Sequence, residues 1–136
     1  MIKGLQEIWE QVGYQTTFHD AEICSIDVDQ SNHSVIVHLT YVPYVPDARD
    51  GEELLIKLIF GAVQEVSLQL GDWSLDSLVC ESNDRTTTCS MVDLSTNAES
   101  HIVAKEVRFE ILSEHNLNLN YRALHLELPW IVQSNN

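Results

Sequence analysis

The sequence predicts a mostly β domain of the α+β class, in which one N-terminal amphipathic helix precedes about eight antiparallel strands. Two observations lead to this class. From Cys24 to Trp130, apolar and polar residues repeatedly alternate, as they do in strands with one solvated face. Short turns rich in Gly, Asn, Asp and Ser separate these alternating runs. We therefore expect a single domain over residues 1–136, built as a meander-rich sandwich or a strongly curled sheet.

The helix is predicted at the start of the chain. Ile2, Leu5, Ile8 and Val12 recur at helical spacing, and polar residues lie between them. Gly13 follows the last of these residues, where a glycine often forms the C-terminal cap. The polar residues are too acidic for membrane docking, so we expect the helix to pack on the body of the domain.

The predicted strands follow in chain order. The run at 54–60 is apolar on both faces except at Lys57, which is typical of a central strand. Gly71 and Asp72 form a two-residue hairpin signal, and they predict a meander of three consecutive strands. The alternating runs are residues 24–28, 35–39, 54–60, 62–70, 73–79, 85–94, 103–111 and 124–130.

The net charge of the chain indicates which kinds of partner it binds. Seven Lys and Arg residues against 21 Asp and Glu residues give a formal net charge of −14. Because phosphate contacts need clustered Lys and Arg, we expect no nucleic-acid partner. A negative field attracts cationic partners and speeds their association, so a basic protein partner is favoured. The alternative is that the acidity serves solubility alone.

Cysteine usage and hydropathy indicate the compartment. The residues after Met1 lack a signal-peptide pattern, and no window approaches the ~20 apolar residues of a membrane helix. Three cysteines without CxxC spacing indicate reduced thiols in the cytoplasm. Cys80 and Cys89 also face each other across a predicted hairpin, and whether they pair is left open.

Residues 18–23 bring three ionisable side chains together beside apolar ones. A metal-dependent enzyme centred on His19, Asp20 and Glu22 is one interpretation. The chain lacks HxxxH, HExxH, CxxC, GxSxG, P-loop and GxGxxG patterns, so we predict no catalytic residue, metal ligand or cofactor. The favoured interpretation is a structural corner. Phe18 and Ile23 bury on either side, Asp20 accepts backbone N–H groups, and His19 bridges to an acid or a carbonyl.

A helix ending near Gly13, followed by residues 18–23 opening a β domain, resembles immunity protein family 50 of bacterial polymorphic toxin systems. The segment Leu-Ile-Phe-Gly-Ala-Val at residues 58–63 is also similar to the middle of that family. The resemblance covers residues 5–75. It implies a small cytosolic protein that neutralises a cognate toxin by binding it, without catalytic residues.

The candidate partner-binding residues are aromatic and acidic side chains in turns and loops. Pro43 and Pro46 predict a loop or broken edge over residues 41–51, with a composition that favours protein contacts. The alternative is a long connection pinned by buried tyrosines. We expect a monomer or weak homodimer, and the other open alternative is an oligomeric β module that uses a strand edge. The candidates are Tyr41, Tyr44, Asp47, Asp50, Asp72 and Glu81.

Overall fold

The computed structural model describes residues 2–43 and 53–112, and the backbone of residues 123–125 and 131–132. Within this part of the chain lie one helix and nine strands. In chain order they are β1 (Ile2–Lys3), α1 (Leu5–Val12), β2 (Glu22–Asp29), β3 (Ser34–Tyr41), β4 (Leu54–Ser67), β5 (Leu75–Ser82), β6 (Thr87–Asp93), β7 (Glu99–Leu112), β8 (Ala123–His125) and β9 (Ile131–Val132).

These strands form one sheet, which confirms the mostly β class with an N-terminal helix. The sheet order is β5-β6-β7-β4-β3-β2-β8, with β1 beside β7 and β9 beside β4. The six long strands pair antiparallel with one another. The short strands β1, β8 and β9 instead pair parallel to their neighbours. Parallel pairs of two or three residues are too short to leave an alternation pattern that sequence reading detects.

The predicted hairpin at Gly71 and Asp72 is wrong. β4 pairs with β3 and β7, and β5 pairs with β6, so β4 and β5 are not neighbours in the sheet. The physical reason is a carboxylate from far along the chain. Asp93 Oδ1 accepts hydrogen bonds from the N–H groups of Gly71 at 3.1 Å and Asp72 at 3.3 Å. These bonds hold the loop after β4 at the end of β6, which pairs with β5, and not in a tight turn back along β4.

The sheet curls until two parts that are distant in the strand order meet at one end. The N–H of Asp20 donates to the carbonyl of Leu75 at 2.8 Å, and the N–H of Leu75 donates to the carbonyl of Ala21 at 2.8 Å. The N–H of Ile23 donates in the same way to the carbonyl of Trp73. The residues leading into β2 therefore lie beside the start of β5, although these strands stand far apart in the sheet order.

The core fills the inside of this curl. Along β3, Val35, Val37 and Leu39 are buried, while Ile36 and His38 face outward and are partly exposed. Each large apolar side chain that is fully buried contributes about 1.5–3 kcal/mol relative to an exposed one. The largest fully buried side chains are Phe18, Phe60, Ile8, Ile23, Ile26, Leu39, Ile56, Leu58, Leu75, Met91, Ile102 and Val35.

The helix packs on this core, as its amphipathic pattern predicts. Leu5 and Ile8 are its buried residues. The helix begins at Leu5 rather than Ile2, because the chain before it pairs with β7 and Gly4 turns it with φ 86°. A Cβ on Gly4 would overlap the carbonyl oxygen of Phe109, so only glycine fits there. Gly13, with φ 90°, donates its N–H to Trp9 O at 2.8 Å, which confirms the predicted cap.

Two of the three cysteines are paired. Cys80 on β5 and Cys89 on β6 lie directly opposite each other and form a disulfide. The expectation of reduced thiols is therefore wrong for this pair. Cross-strand neighbours on one face of a hairpin are close enough to be joined without a change in the backbone. Cys24 is a free thiol, and burial raises its pKa.

The described part of the chain contains no helix with the length and apolarity needed to cross a membrane.

Candidate functional site

Residues 18–22 and 72–76 meet to form a surface that we call the acidic corner. An isolated antiparallel bridge pairs Glu22 with Ser74 and joins the two segments. Four carboxylates are thereby brought to one end of the sheet from two separate parts of the chain. They belong to Asp20, Glu22, Asp72 and Asp76.

An aromatic anchor holds the corner from below. Phe18 is 1% exposed, and its ring meets that of Tyr41 edge-on, with 5.3 Å between centroids. The same ring stacks on Phe109 at 5.9 Å. Such aromatic pairs stabilise a fold beyond the area that they bury. Ile23 is also 1% exposed, so both apolar residues of the hexapeptide lie in the core, as the sequence predicts.

A chain of hydroxyl groups supports the anchor. Thr16 Oγ1 accepts a hydrogen bond from the N–H of Phe18 at 2.9 Å and contacts the hydroxyl of Tyr41 at 2.6 Å. The hydroxyl of Tyr14 also contacts that of Tyr41 at 2.6 Å. Burial is the main cause that raises the pKa of Tyr41 to about 12. Because Tyr41 is only 4% exposed, this candidate contact residue serves the interior instead of the surface.

His19 lies between two acidic residues. Its Nδ1–H donates to the carbonyl oxygen of Asp76 at 3.0 Å, and its Nε2 is 3.5 Å from Asp20 Oδ1. The side chains of His19 and Asp20 are 58% and 68% exposed. The hydrogen bond to the Asp76 carbonyl, followed by the charge of Asp20, raises the pKa of His19. Both favour the protonated ring.

The backbone, and not the Asp20 carboxylate, carries the hydrogen bonds of the turn. The N–H of Ala21 donates to the carbonyl of Phe18 at 3.0 Å, and Asp20 uses its own N–H to reach Leu75. The expected capping role of Asp20 is therefore not its role in the structure. Its carboxylate faces His19 and solvent, where a partner can reach it.

Backbone strain concentrates at the corner. Six non-glycine residues in the described part of the chain have positive φ, and three of them lie here. They are Phe18 at 59°, Asp20 at 68° and Trp73 at 69°. Such conformations are costly for bulky residues and tend to persist where function requires them. Sequence reading missed Trp73 because it falls within an alternating run.

A buried carboxylate holds the second segment in place. Asp93 is 3% exposed, and its Oδ2 accepts hydrogen bonds from the N–H and hydroxyl groups of Ser95 and Thr96 at 2.7–3.2 Å. Burial by itself would raise the pKa of Asp93, but these bonds and that from Gly71 lower it to about 2. Asp followed closely by Ser and Thr is a local turn signal, which identifies this motif in the sequence.

Two further candidate partner-binding residues lie at the surface of the protein. Asp72 and Glu81 are exposed. Tyr44, Asp47 and Asp50 lie outside the described residues. Over residues 2–43 and 53–112, no three His, Cys, Asp or Glu side chains are grouped so as to hold a metal ion. His19, Asp20 and Glu22 therefore do not form a ligand set by themselves.

Comparison with known proteins gives no match, either to a protein-family model, to a curated protein or to a solved structure. The acidic corner itself is therefore the basis for interpreting function.

Proposed function

We propose that this protein is a small acidic cytoplasmic inhibitor of the immunity type, which neutralises a basic toxin domain by direct binding through the acidic corner. The observation that carries the proposal is the arrangement at the corner. Carboxylates from two segments gather beside Trp73, which is partly buried and packs on the core. The similarity of residues 18–23 to immunity proteins agrees with this function.

The chemistry of the corner fits a basic protein partner. Interfaces draw most of their binding energy from a few aromatic or Arg anchors surrounded by polar groups. Trp73 has the position of such an anchor, and Asp20, Glu22 and Asp76 supply its acidic surroundings. A net charge of −14 adds a long-range attraction for cations, which raises the association rate.

A binding role accounts for the corner better than a catalytic one. Its two segments are joined by backbone hydrogen bonds, and the side chains of His19 and Asp20 stand in solvent. Catalytic acids and bases need enclosed surroundings that tune their proton affinity. We propose a monomer or weak homodimer that uses no cofactor and binds neither nucleic acid nor membrane.

The test is co-expression of this chain with the toxin domain encoded by the neighbouring gene. We expect protection of the host cell, and an association rate in vitro that falls steeply as ionic strength rises. Failure to protect, together with no association between the purified proteins, would refute the proposal.

Charge variants locate the contact surface. The double variant Asp20→Asn and Asp76→Asn should lower the association rate about tenfold, because it removes two charges from the interface. The matched control is Glu7→Gln with Glu10→Gln, which removes two charges from the exposed face of α1. Equal losses in both double variants would show that only net charge matters and that the corner is not the contact surface.

A further inference from the structure

We propose that the outer edge of β5, over residues 78–82, accepts an extended basic segment of the partner as an added strand. The inference rests on the proposed function, since it names how the same partner is held. It places a second contact directly beside the acidic corner.

β5 is the outermost strand at its end of the sheet and has β6 on one side. On its other side, the segment before β2 covers only the first half of β5. The last bond of this contact runs from the N–H of Leu78 to the carbonyl of Thr17 at 2.7 Å. Over the described residues, no strand pairs with the outer side of β5 beyond Leu78.

The distance between paired Cα atoms of β5 and β6 shows which backbone groups of β5 point away from β6. The Cα atoms of Cys80 and Cys89 are 4.1 Å apart. This short distance is typical of the narrow pairs in an antiparallel ladder, in which neither residue bonds to the other. The N–H and C=O groups of Cys80 therefore point away from β6. Leu78 and Ser82 each lie two residues from Cys80, so their N–H and C=O groups also point away from β6. The N–H of Leu78 donates in this direction to the carbonyl of Thr17.

Residues 78–82 themselves carry few of the features that block strand pairing. Proteins protect exposed edges with charged side chains, above all Lys, or with Pro or a bulge. Glu81 is the one charged residue between 78 and 82, and it repels acidic strands but not basic ones. The irregularity in the pairing of β5 lies earlier, between Leu75 and Ser77, and residues 78–82 contain neither Lys nor Pro. Val79 is 41% exposed on the same stretch. The disulfide to Cys89 fixes the strand in position, which lowers the entropy lost when another strand is added.

The negative charge around the edge favours a basic strand as the added one. Asp76, Glu81 and Asp84 flank the edge, and Arg85 at the hairpin turn offsets only one of these charges. When an added strand binds, main-chain hydrogen bonds supply affinity and alternate side chains supply specificity. Lys or Arg at alternate positions of the incoming strand would therefore face carboxylates along β5.

The first experiment uses a synthetic peptide of about seven residues in which Lys alternates with Val. Its control peptide carries Glu in place of Lys. Hydrogen exchange of the backbone N–H groups of Cys80 and Ser82 is measured by NMR on the whole protein. We expect the Lys peptide at saturation to slow both about tenfold or more, and the Glu peptide to leave them unchanged.

The second experiment removes one outward donor. Ser82→Pro deletes the outward N–H without removing a bond to β6, whereas Ser82→Ala keeps the N–H and loses only the hydroxyl contact to Thr87. We expect Ser82→Pro to weaken binding of the Lys peptide about tenfold, as the loss of one backbone hydrogen bond implies. Ser82→Ala should bind within about twofold of the unaltered protein. Thermal unfolding establishes that both variants fold.

Three outcomes would overturn the edge proposal: equal binding by the Pro and Ala variants, equal binding of the Glu peptide, or protection of the edge that grows with protein concentration in the absence of peptide. The last would identify a second copy as the occupant. If Ser82→Pro neutralises the neighbouring toxin domain as well as the unaltered protein does, the edge proposal fails and the proposed function stands. If the Lys peptide protects the edge but the toxin domain does not bind, the proposed function fails, and the edge is a site for a basic strand from a different partner.

Discussion

Asp93 and the carboxylates of the acidic corner belong to one acidic protein but differ completely in their surroundings. Asp93 is 3% exposed and accepts hydrogen bonds from the loop around Gly71 and from Ser95 and Thr96. Asp20 and Asp76 are 68% and 47% exposed and share the ring of His19. A buried carboxylate with all its oxygens bonded organises structure, whereas a solvated one remains available to a partner. Acidity alone therefore does not locate an interface.

The largest expected effect is on stability, from loss of the buried carboxylate. Asp93→Ala should lower the free energy of unfolding by about 3–5 kcal/mol, because part-buried N–H and hydroxyl donors of two loops lose their common buried acceptor. Urea unfolding followed by circular dichroism measures this change. The matched control, Asp84→Asn at the exposed hairpin turn, should stay within about 0.5 kcal/mol of the unaltered protein. Equal effects of the two substitutions would remove the distinction between the two kinds of carboxylate.

The contrast also shows that strands can be predicted from the sequence, whereas their pairing cannot. Alternation along single runs predicted the strands, because side-chain direction within a strand is a local property. β4 pairs with β7 instead of β5, and the loop between β4 and β5 is held by Asp93, which lies 22 and 21 residues beyond Gly71 and Asp72. Local turn signals such as Gly71 and Asp72 carry no information about a hydrogen-bond acceptor so far along the chain.

The same limit applies to the acidic corner. Phe18 and Ile23 were predicted as buried anchors because they are apolar residues in a polar turn. The positions of Trp73 and Asp76 beside residues 18–22 arise only when the sheet curls. The sequence therefore identifies residues 18–23 and Asp72 separately, but it does not place them together and gives no role to Trp73 or Asp76.

The second effect concerns β5, which carries one side of the corner. Reduction of the Cys80–Cys89 disulfide should lower the free energy of unfolding by about 2–3 kcal/mol, as expected for a short closed loop. The measurement is urea unfolding with and without dithiothreitol, and the double variant Cys80→Ala with Cys89→Ala should not respond to the reductant. Alkylation and mass spectrometry of protein taken from cells would report whether the pair is oxidised there, since thiols are usually reduced in a cytoplasm and paired in oxidising compartments.

The third effect is the pH dependence of stability, which distinguishes the buried carboxylate of Asp93 from the exposed carboxylates. The pKa of Asp93 lies near 2 in the folded protein, below its ordinary value of 3.8. Since the unfolded chain takes up the proton first, the stabilisation is complete above about pH 5 and is lost as pH falls through 3.8 and then through the folded pKa near 2. The loss should be about 2 kcal/mol. Unfolding measured across this range should show a shallower decline for Asp93→Asn, and identical slopes would contradict the role given to Asp93.

The smallest effect on stability, and the most informative for binding, concerns His19. NMR titration of its ring should give a pKa above 6.5, because the Asp76 carbonyl and the Asp20 charge favour the protonated form. Asp20→Asn should lower this pKa without restoring the ordinary value, because the carbonyl bond remains. The stabilisation from protonated His19 is present below pH 6.5 and is lost as pH rises through the raised pKa.

Deprotonation of His19 also makes the corner more negative. If this surface attracts a basic partner, the association rate should rise as pH increases through the pKa of His19. His19→Gln keeps a polar side chain but cannot titrate, so its association rate should lack this step. A step of equal size in the variant would show that another group governs the pH dependence. Because the ring is largely exposed, the substitution should leave stability nearly unchanged. A change in binding without a change in stability is what distinguishes the corner from Asp93.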